Sequence, residues 1–225
     1  IKKNKIICAT GYQLRYHNFL HKIKKIINSN LLGKIKKVDI FNQHFLPYHH
    51  KYEDYRIGYA AKKKLGGGVL LCFIHEIDYS NFLFGKIKSI VCKSIKKSDL
   101  NIDVEDYAKL RCEYSLDNNN FEVNILLDFI KKVEKRMCKI FFEKGKIIWN
   151  LKLDTLQIIK NKKIISQKKS NISRNALFKK ELKEFLINVK RKTDPISNLE
   201  NGISSLKVVM LAKKSNKIKK KIYIS

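Results

Sequence analysis

Residues 65–85 read LGGGVLLCFIHEIDYSNFLFG, and the rest of the chain is arranged around them. Three successive glycines free the backbone for a tight turn, and the residues after Gly68 fit one helix. Val69, Leu70, Phe73, Ile77, Phe82 and Leu83 are its apolar positions, with His75, Glu76 and Asp78 as polar exceptions. His75 and Asp78, three residues apart, share a helix face. The glycines permit close approach of a ligand or of another backbone, and the unpaired N–H groups of a helix start favour negative charge. Two readings of the pair stand side by side. In one, both side chains are hydrogen-bonded structural residues and the glycines let helix and sheet touch. In the other, His75 is a general acid/base, because imidazole titrates near neutrality and a carboxylate can set its orientation. The H-x-x-D spacing does not choose between them.

Outward from this stretch, residues 1–10 read as a strand and residues 12–17 as a polar turn containing Arg15. Residues 18–31 carry Phe19, Leu20, Ile23, Ile26, Ile27 and Leu31 at helical spacing, with lysines opposite. Residues 34–45 alternate as a strand. Residues 47–64 have no period but hold Tyr48, His49, His50, Tyr52, Tyr55, Arg56 and Tyr59, which makes this long loop one wall of a site. After the central helix, residues 86–96, 105–114 and 121–130 read as strands, the last two joined by a hairpin loop at 117–120. Residues 135–143 and 145–153 form another pair, residues 156–165 a short strand, and the succession predicts an antiparallel sheet. Residues 173–189 form an amphipathic helix with Phe178, Leu182, Phe185, Leu186 and Val189 as its stripe, and Ser173 placed to cap it. A helix over 199–213 and a basic strand or tail over 218–224 complete the chain.

With 225 residues, 44% of them hydrophobic, the chain suits one large domain or two small ones with a real core. No apolar run approaches the roughly 18–20 residues of a bilayer span, no signal peptide opens the chain, and the cytosol is the expected location. Five cysteines without a C-x-x-C are expected to be reduced. His49 and His50 lie beside Glu53 and Asp54, but without a helical H-x-x-x-H or a cysteine pair no metal site is expected. The net charge of +29 invites a nucleic-acid reading. Only six of the 49 basic residues are arginines, however, and arginine is the usual reader of bases and phosphate forks. Lysine, isoleucine and asparagine together reflect A/T-rich codons, so the lysines are read as solvated faces and no specific nucleic-acid partner is expected.

In order, the motifs are GYQLRYHN (11–18), EDYRIGYAAKKKLGGG (53–68), VLLCFIHEIDYSNFLFG (69–85) and NLENGISSLKVVMLAKKS (198–215). Together they resemble the C-terminal part of the Gfo/Idh/MocA family, the glucose-fructose oxidoreductase and inositol dehydrogenase group of NAD(P)-dependent enzymes. The most specific pieces are GGG-x-L-L-x-x-I-HEIDY and D-Y-R-x-x-Y-A-A. This resemblance implies an α+β fold: a mostly antiparallel open sheet with helices packed on one face, as in dihydrodipicolinate-reductase-like C-terminal domains. Residues 1–14 would be the remnant last strand of a Rossmann domain, and residues 15–225 a substrate-binding and oligomerisation domain.

The resemblance also implies a sugar, sugar-nucleotide or polyol substrate, NAD or NADP as cofactor, and a homo-oligomer formed through the open sheet face. His75 matches the family's catalytic acid/base. Arg15, Tyr55, Arg56, Tyr59 and Asp78 match substrate-cleft positions. Two departures stand out. No G-x-G-x-x-G follows a strand and no E-K-P motif is present, so no cofactor-binding residue is named. Cys72 stands where many relatives carry aspartate, and a neutral thiol does not charge-stabilise a histidine. The expectation is the substrate domain of a truncated oxidoreductase. A non-catalytic ligand-binding or assembly module is the alternative, and a basic nucleic-acid-associated protein a third.

Overall fold

In the computed structural model, which describes residues 6–50 and 52–224, a 3-10 turn (Gln13–Tyr16) leads into α1 (Asn18–Asn28). The helical-period residues Phe19, Leu20, Ile23, Ile26 and Ile27 are buried, and His17 caps the start by accepting from the Phe19 N–H. Next come β1 (Ile35–Gln43) and the aromatic loop, which is ordered into three short 3-10 turns, Leu46–Tyr48, Tyr59–Ala61 and Lys63–Leu65.

The stretch after the glycines is two helices rather than one: α2 (Val69–Cys72) and α3 (His75–Phe84). Phe73 leaves the helical region at φ −105°, ψ 31°, with its ring packed edge-on against Phe129 at 4.9 Å. Across the break the bonds tighten to the i to i−3 pattern, Ile74 N–H to Leu71 O (3.3 Å) and Glu76 N–H to Phe73 O (3.3 Å). His75 therefore starts a helix instead of sitting inside one.

Eight further strands follow: β2 (Ile87–Ile95), β3 (Tyr107–Leu116), β4 (Asn119–Asp128), β5 (Lys135–Phe142), β6 (Gly145–Asn150), β7 (Thr155–Lys160), β8 (Lys163–Lys169) and, after two helices, β9 (Ile222–Tyr223). They form one open sheet in the order β8-β7-β6-β5-β1-β4-β3-β2-β9. Among the described residues only β1 and β4 run parallel, Val38 beside Val123 and Ile40 beside Ile125, while the other neighbours are antiparallel. Asp117 and Asn118, at φ +48° and +60°, form the two-residue β3–β4 turn, whose left-handed residues suit the strand twist. The single strand expected over 156–165 is instead the hairpin of β7 and β8, with Asn161 and Lys162 turning at φ +48° and +65°.

Alternation along the strands buries Val38, Leu110, Val123, Ile140, Ile147 and Leu156 on one face, where α2, α3 and α5 pack. The opposite face, with Phe41, Leu126, Met137, Phe141 and Ile148, stays half-exposed. The fold is thus the mixed, mostly antiparallel open sheet with helices that the motifs implied.

The first of the two late helices, α4 (Arg174–Arg191), is capped by Ser173 as expected, but its stripe is not core. Leu177 is its buried residue, while Phe178, Leu182, Leu186 and Val189 are exposed. The second, α5 (Leu199–Ile218), runs beyond the expected 213 because Ser215 and Asn216 bond the β2 backbone, accepting from the Cys92 N–H (3.1 Å) and Ser94 N–H (3.0 Å). Residues 1–5 of the expected first strand lie outside the described residues. Ala9 forms an isolated antiparallel bridge with Asn198, and the Gln13–Tyr16 turn runs through the expected domain boundary. Among the described residues no helix is long and apolar enough to cross a membrane.

Candidate functional site

A cavity of about 550 Å³ opens on the helix-bearing side, at the end of β1, β5 and β6. Gln13, Leu14 and His17 reach it from the first 3-10 turn, Asn42 and His44 from the end of β1, and His49 and Tyr59 from the aromatic loop. Cys72, Phe73 and His75 come from the broken helix, Glu134, Arg136, Trp149, Lys152 and Asp154 from β5, β6 and their flanks, and Ile172, Arg174 and Leu177 from the start of α4.

His75 is in this wall. No hydrogen bond reaches its imidazole among the described residues, and Nδ1 is buried; Tyr12 packs edge-on at 5.8 Å. Burial pushes its pKa down to about 4, and Arg136 and Arg174 act in the same direction while Glu76 opposes them. At neutral pH the ring is uncharged, and the same lowering makes it a weaker base than free imidazole until a bound ligand changes its surroundings. Behind it Glu76 is wholly buried, and Arg136 Nε donates to its Oε1 at 2.7 Å while the guanidinium reaches the cavity.

Asp78 does not orient His75. Its carboxylate takes Arg15 Nη2 at 2.8 Å and Arg15 Nε at 3.0 Å, and Ser205 Oγ lies 3.4 Å away. Burial raises the Asp78 pKa against the lowering effect of Arg15. Arg15 also donates to Ile196 O (2.9 Å), and neither residue of the pair is among those lining the cavity. Of the other expected site residues, Tyr59 lines the cavity, and burial raises its hydroxyl pKa. Tyr55 instead accepts from the Asn101 N–H (3.4 Å), and Arg56 is exposed and forked onto Asp54.

Cys72 shares the wall with His75, and burial together with Glu105 pushes its thiol up to about 12, so it is neutral. His49 and His50 stack at 4.4 Å, His50 meets Glu53 at 2.7 Å, and burial pushes His49 down to about 4. Among the described residues no group of three or more His, Cys, Asp or Glu is gathered as for a metal ion.

The glycine turn packs against protein. A Cβ on Gly67 would lie 2.5 Å from Tyr59 O and 2.6 Å from Ala60 O, and Gly68 takes φ +101°. At the start of α2, the Val69 N–H donates to Glu105 O (3.0 Å) and the Leu70 N–H to Glu105 Oε1 (3.4 Å). The glycines serve close backbone approach, and Glu105 fills the anion-attracting helix start, so this turn does not fit a dinucleotide phosphate.

Motif reading did not single out Gln13, His17, Asn42, Arg136, Trp149, Asp154 or Arg174. They are scattered over six segments, and two carried a local signal. Asn42 is a polar residue at a buried position of an alternating strand, and Trp149 is the sole tryptophan.

No curated protein matches the chain in sequence. Solved structures match its shape. Aldose-aldose oxidoreductase from Caulobacter crescentus, complexed with glycerol, superposes with TM-score 0.83 at 15% identity over 99% of this chain and 65% of its own. The WlbA dehydrogenase from Bordetella pertussis, in complex with NADH and UDP-GlcNAcA, gives 0.74 at 17% identity over 100% and 65%. An inositol dehydrogenase homolog from Azotobacter vinelandii, complexed with NAD+, gives 0.79 at 12% identity over 99% and 66%. The chain thus spans about two thirds of the length of these structures. At such identities the likeness speaks for fold, and the family is carried by the sequence itself: over residues 20–148, more than half of its length, the chain matches the GFO/IDH/MocA C-terminal domain and belongs to that family.

Proposed function

We propose that the chain is the substrate-binding domain of an NAD-type oxidoreductase acting on a sugar or polyol, with His75 as proton acceptor. The observation that carries this reading is a set of buried polar atoms on cavity-lining residues that have no protein partner among the described residues: Gln13 Oε1, His44 Nε2, His75 Nδ1 and Trp149 Nε1. Buried polar groups require partners, and a hydroxyl-rich ligand both donates and accepts. The glycerol, UDP-GlcNAcA, NADH and NAD+ bound in the similar structures support the same class.

In the reaction, hydride can leave a carbon only as the proton leaves its oxygen, and the uncharged His75 ring takes that proton. Tyr59, Arg136, Arg174 and Lys152 supply donors to the other oxygens. Arg15 and Asp78 serve the site by holding the Gln13–Tyr16 turn against α3, and Tyr55 and Arg56 by shaping the aromatic loop. NAD or NADP would supply the hydride acceptor, and the glycine turn, packed against Tyr59, Ala60 and Glu105, would not be what holds it. Five free thiols suit a reducing compartment, which we take to be the cytosol. The half-exposed sheet face is the surface offered for self-assembly.

A non-catalytic binding or assembly module is the second reading, favoured by the neutral Cys72 thiol and by the commitment of Asp78 to Arg15, so that neither of these two orients the His75 ring. Thermal unfolding with myo-inositol, levoglucosan or glucose at constant ionic strength tests the site. A midpoint that rises with ligand concentration, and no longer does so in a folded His75→Ala variant, supports it. Sugar-independent behaviour with a steep salt response to polyanions would overturn it in favour of a charge-driven partner. Unfolding of His75→Ala would make His75 structural.

A further inference from the structure

We propose that Asp154 is the carboxylate that receives adjacent substrate hydroxyls in this cavity, and that His17 is the positioning residue that aims it; this rests on the sugar or polyol reading above. Asp154 closes the turn after β6 at φ +50°, a left-handed conformation that aspartate tolerates better than most side chains. The turn is pinned at both ends, by the Leu153 N–H on Asn150 Oδ1 (3.1 Å) and by the Ser170 N–H on Asp154 O (2.8 Å).

The aim comes from His17, whose side chain is 5% exposed and whose ring lies between Phe19 and Trp149, each centroid 5.3 Å away. Nδ1 accepts the Phe19 N–H at 3.1 Å. An imidazole nitrogen that accepts carries no proton, so the neutral ring must hold its hydrogen on Nε2. Nε2 sits 3.0 Å from Asp154 Oδ1. The backbone of α1 thereby dictates the tautomer, and the tautomer makes Nε2 the donor that holds the Asp154 carboxylate. With both nitrogens engaged, His17 has none left for a ligand.

Asp154 keeps capacity to spare. Among the described residues no protein donor reaches Oδ2, the side chain is 23% exposed, and it lines the cavity. Lys152, two residues away, turns to Glu134 instead. An ionised carboxylate offers about four lone-pair sites, and one is used here. Two neighbouring hydroxyls, each donating to one oxygen, fit what is left. A carboxylate or phosphate of the ligand would be repelled from this corner.

Calorimetric titration with myo-inositol and with levoglucosan tests the assignment on the wild-type chain, Asp154→Asn and His17→Asn. Asparagine at 17 retains a helix cap but loses the Nε2 donor, so it separates capping from aiming. Asp154→Asn is expected to weaken binding roughly tenfold to a hundredfold, the range for hydrogen bonds to a charged group. His17→Asn is expected to weaken it by a smaller factor with the fold retained. Equal binding by Asp154→Asn and wild type overturns the assignment and leaves the sugar reading intact, whereas a wild-type chain that binds neither compound overturns both. Unimpaired binding by His17→Asn overturns the positioning role. Should that variant not fold, the imidazole nitrogen spectrum of the wild-type chain decides: a proton on Nε2 supports the role and a proton on Nδ1 overturns it.

Discussion

Arg15 and Asp78 are joined side-on, Nη2 to Oδ1 at 2.8 Å and Nε to Oδ2 at 3.0 Å, with side chains only 5% and 1% exposed. Through Ile196 O the same guanidinium also ties in the segment before α5. Removing one partner leaves the other charge buried and alone. Asp78→Ala is therefore expected to lose about 3–5 kcal/mol in urea unfolding, and Arg15→Met with Asp78→Leu together to lose less than the single change. A single-variant loss under about 1 kcal/mol would show that the pair does not hold these elements.

His75 makes stability depend on pH. Its pKa is lowered from 6.5 to about 4 by burial first and Arg136 second, so between those values the unfolded chain binds the extra proton. Stability is fully present above the unfolded value and falls as pH drops through the window, by up to about 3 kcal/mol. His17 and His49 are lowered too, so the informative quantity is the difference between wild type and His75→Gln in urea melts at several pH values. Parallel curves would mean that the ring is not buried as described.

Cys72 and His75 share a cavity wall without a charge between them. Cys72→Asp is expected to raise the His75 pKa above about 4, since an opposite charge favours imidazolium, and to cost stability because a carboxylate is placed in a half-buried position within reach of the Glu105 charge. Histidine ring titration by NMR reads the shift. An unmoved His75 would place the two side chains out of electrostatic reach.

The half-exposed sheet face is expected to join copies of the chain. Leu126→Lys with Ile148→Lys puts two charges among Phe41, Met137 and Phe141, and light scattering should then report a smaller species with an unchanged circular dichroism spectrum. A wild-type chain that is already monomeric would remove this surface from consideration.

Much of the fold was legible because its signals are local. Alternation in 121–130, the Asp117–Asn118 turn and the 3.6-residue period of α1 each rest on neighbouring residues. The break at Phe73 was not legible, because no glycine or proline marks it and its ring packs on Phe129, a residue 56 positions further along the chain. Nor was the exposure of Leu182 and Leu186, since an apolar stripe reports a preference for cover and not what supplies it. At the site, His75 and Tyr59 were readable from motifs. His17, Arg136 and Asp154 were not, because only folding brings them to one cavity. Asp78 shows the limit of spacing: three residues along a helix aligns it with His75, yet Arg15 is the stronger partner.

The parallel alignment of β1 and β4 also sets the order in which the molecule can assemble. Asp39 meets Asn124 85 residues further along the chain, and the other edge of β1 waits for β5. At a synthesis rate of about 5–20 residues per second, the first strand emerges several seconds before either neighbour exists. During that interval Val38 and Ile40 have no sheet to enter, and Lys36 and Lys37 stand beside them, the kind of charge that discourages pairing between strand edges. The hairpins pair neighbouring residues, whereas the centre of the sheet cannot close until β4 and β5 have both been made, so the slowest contacts of the fold are those of its middle strand.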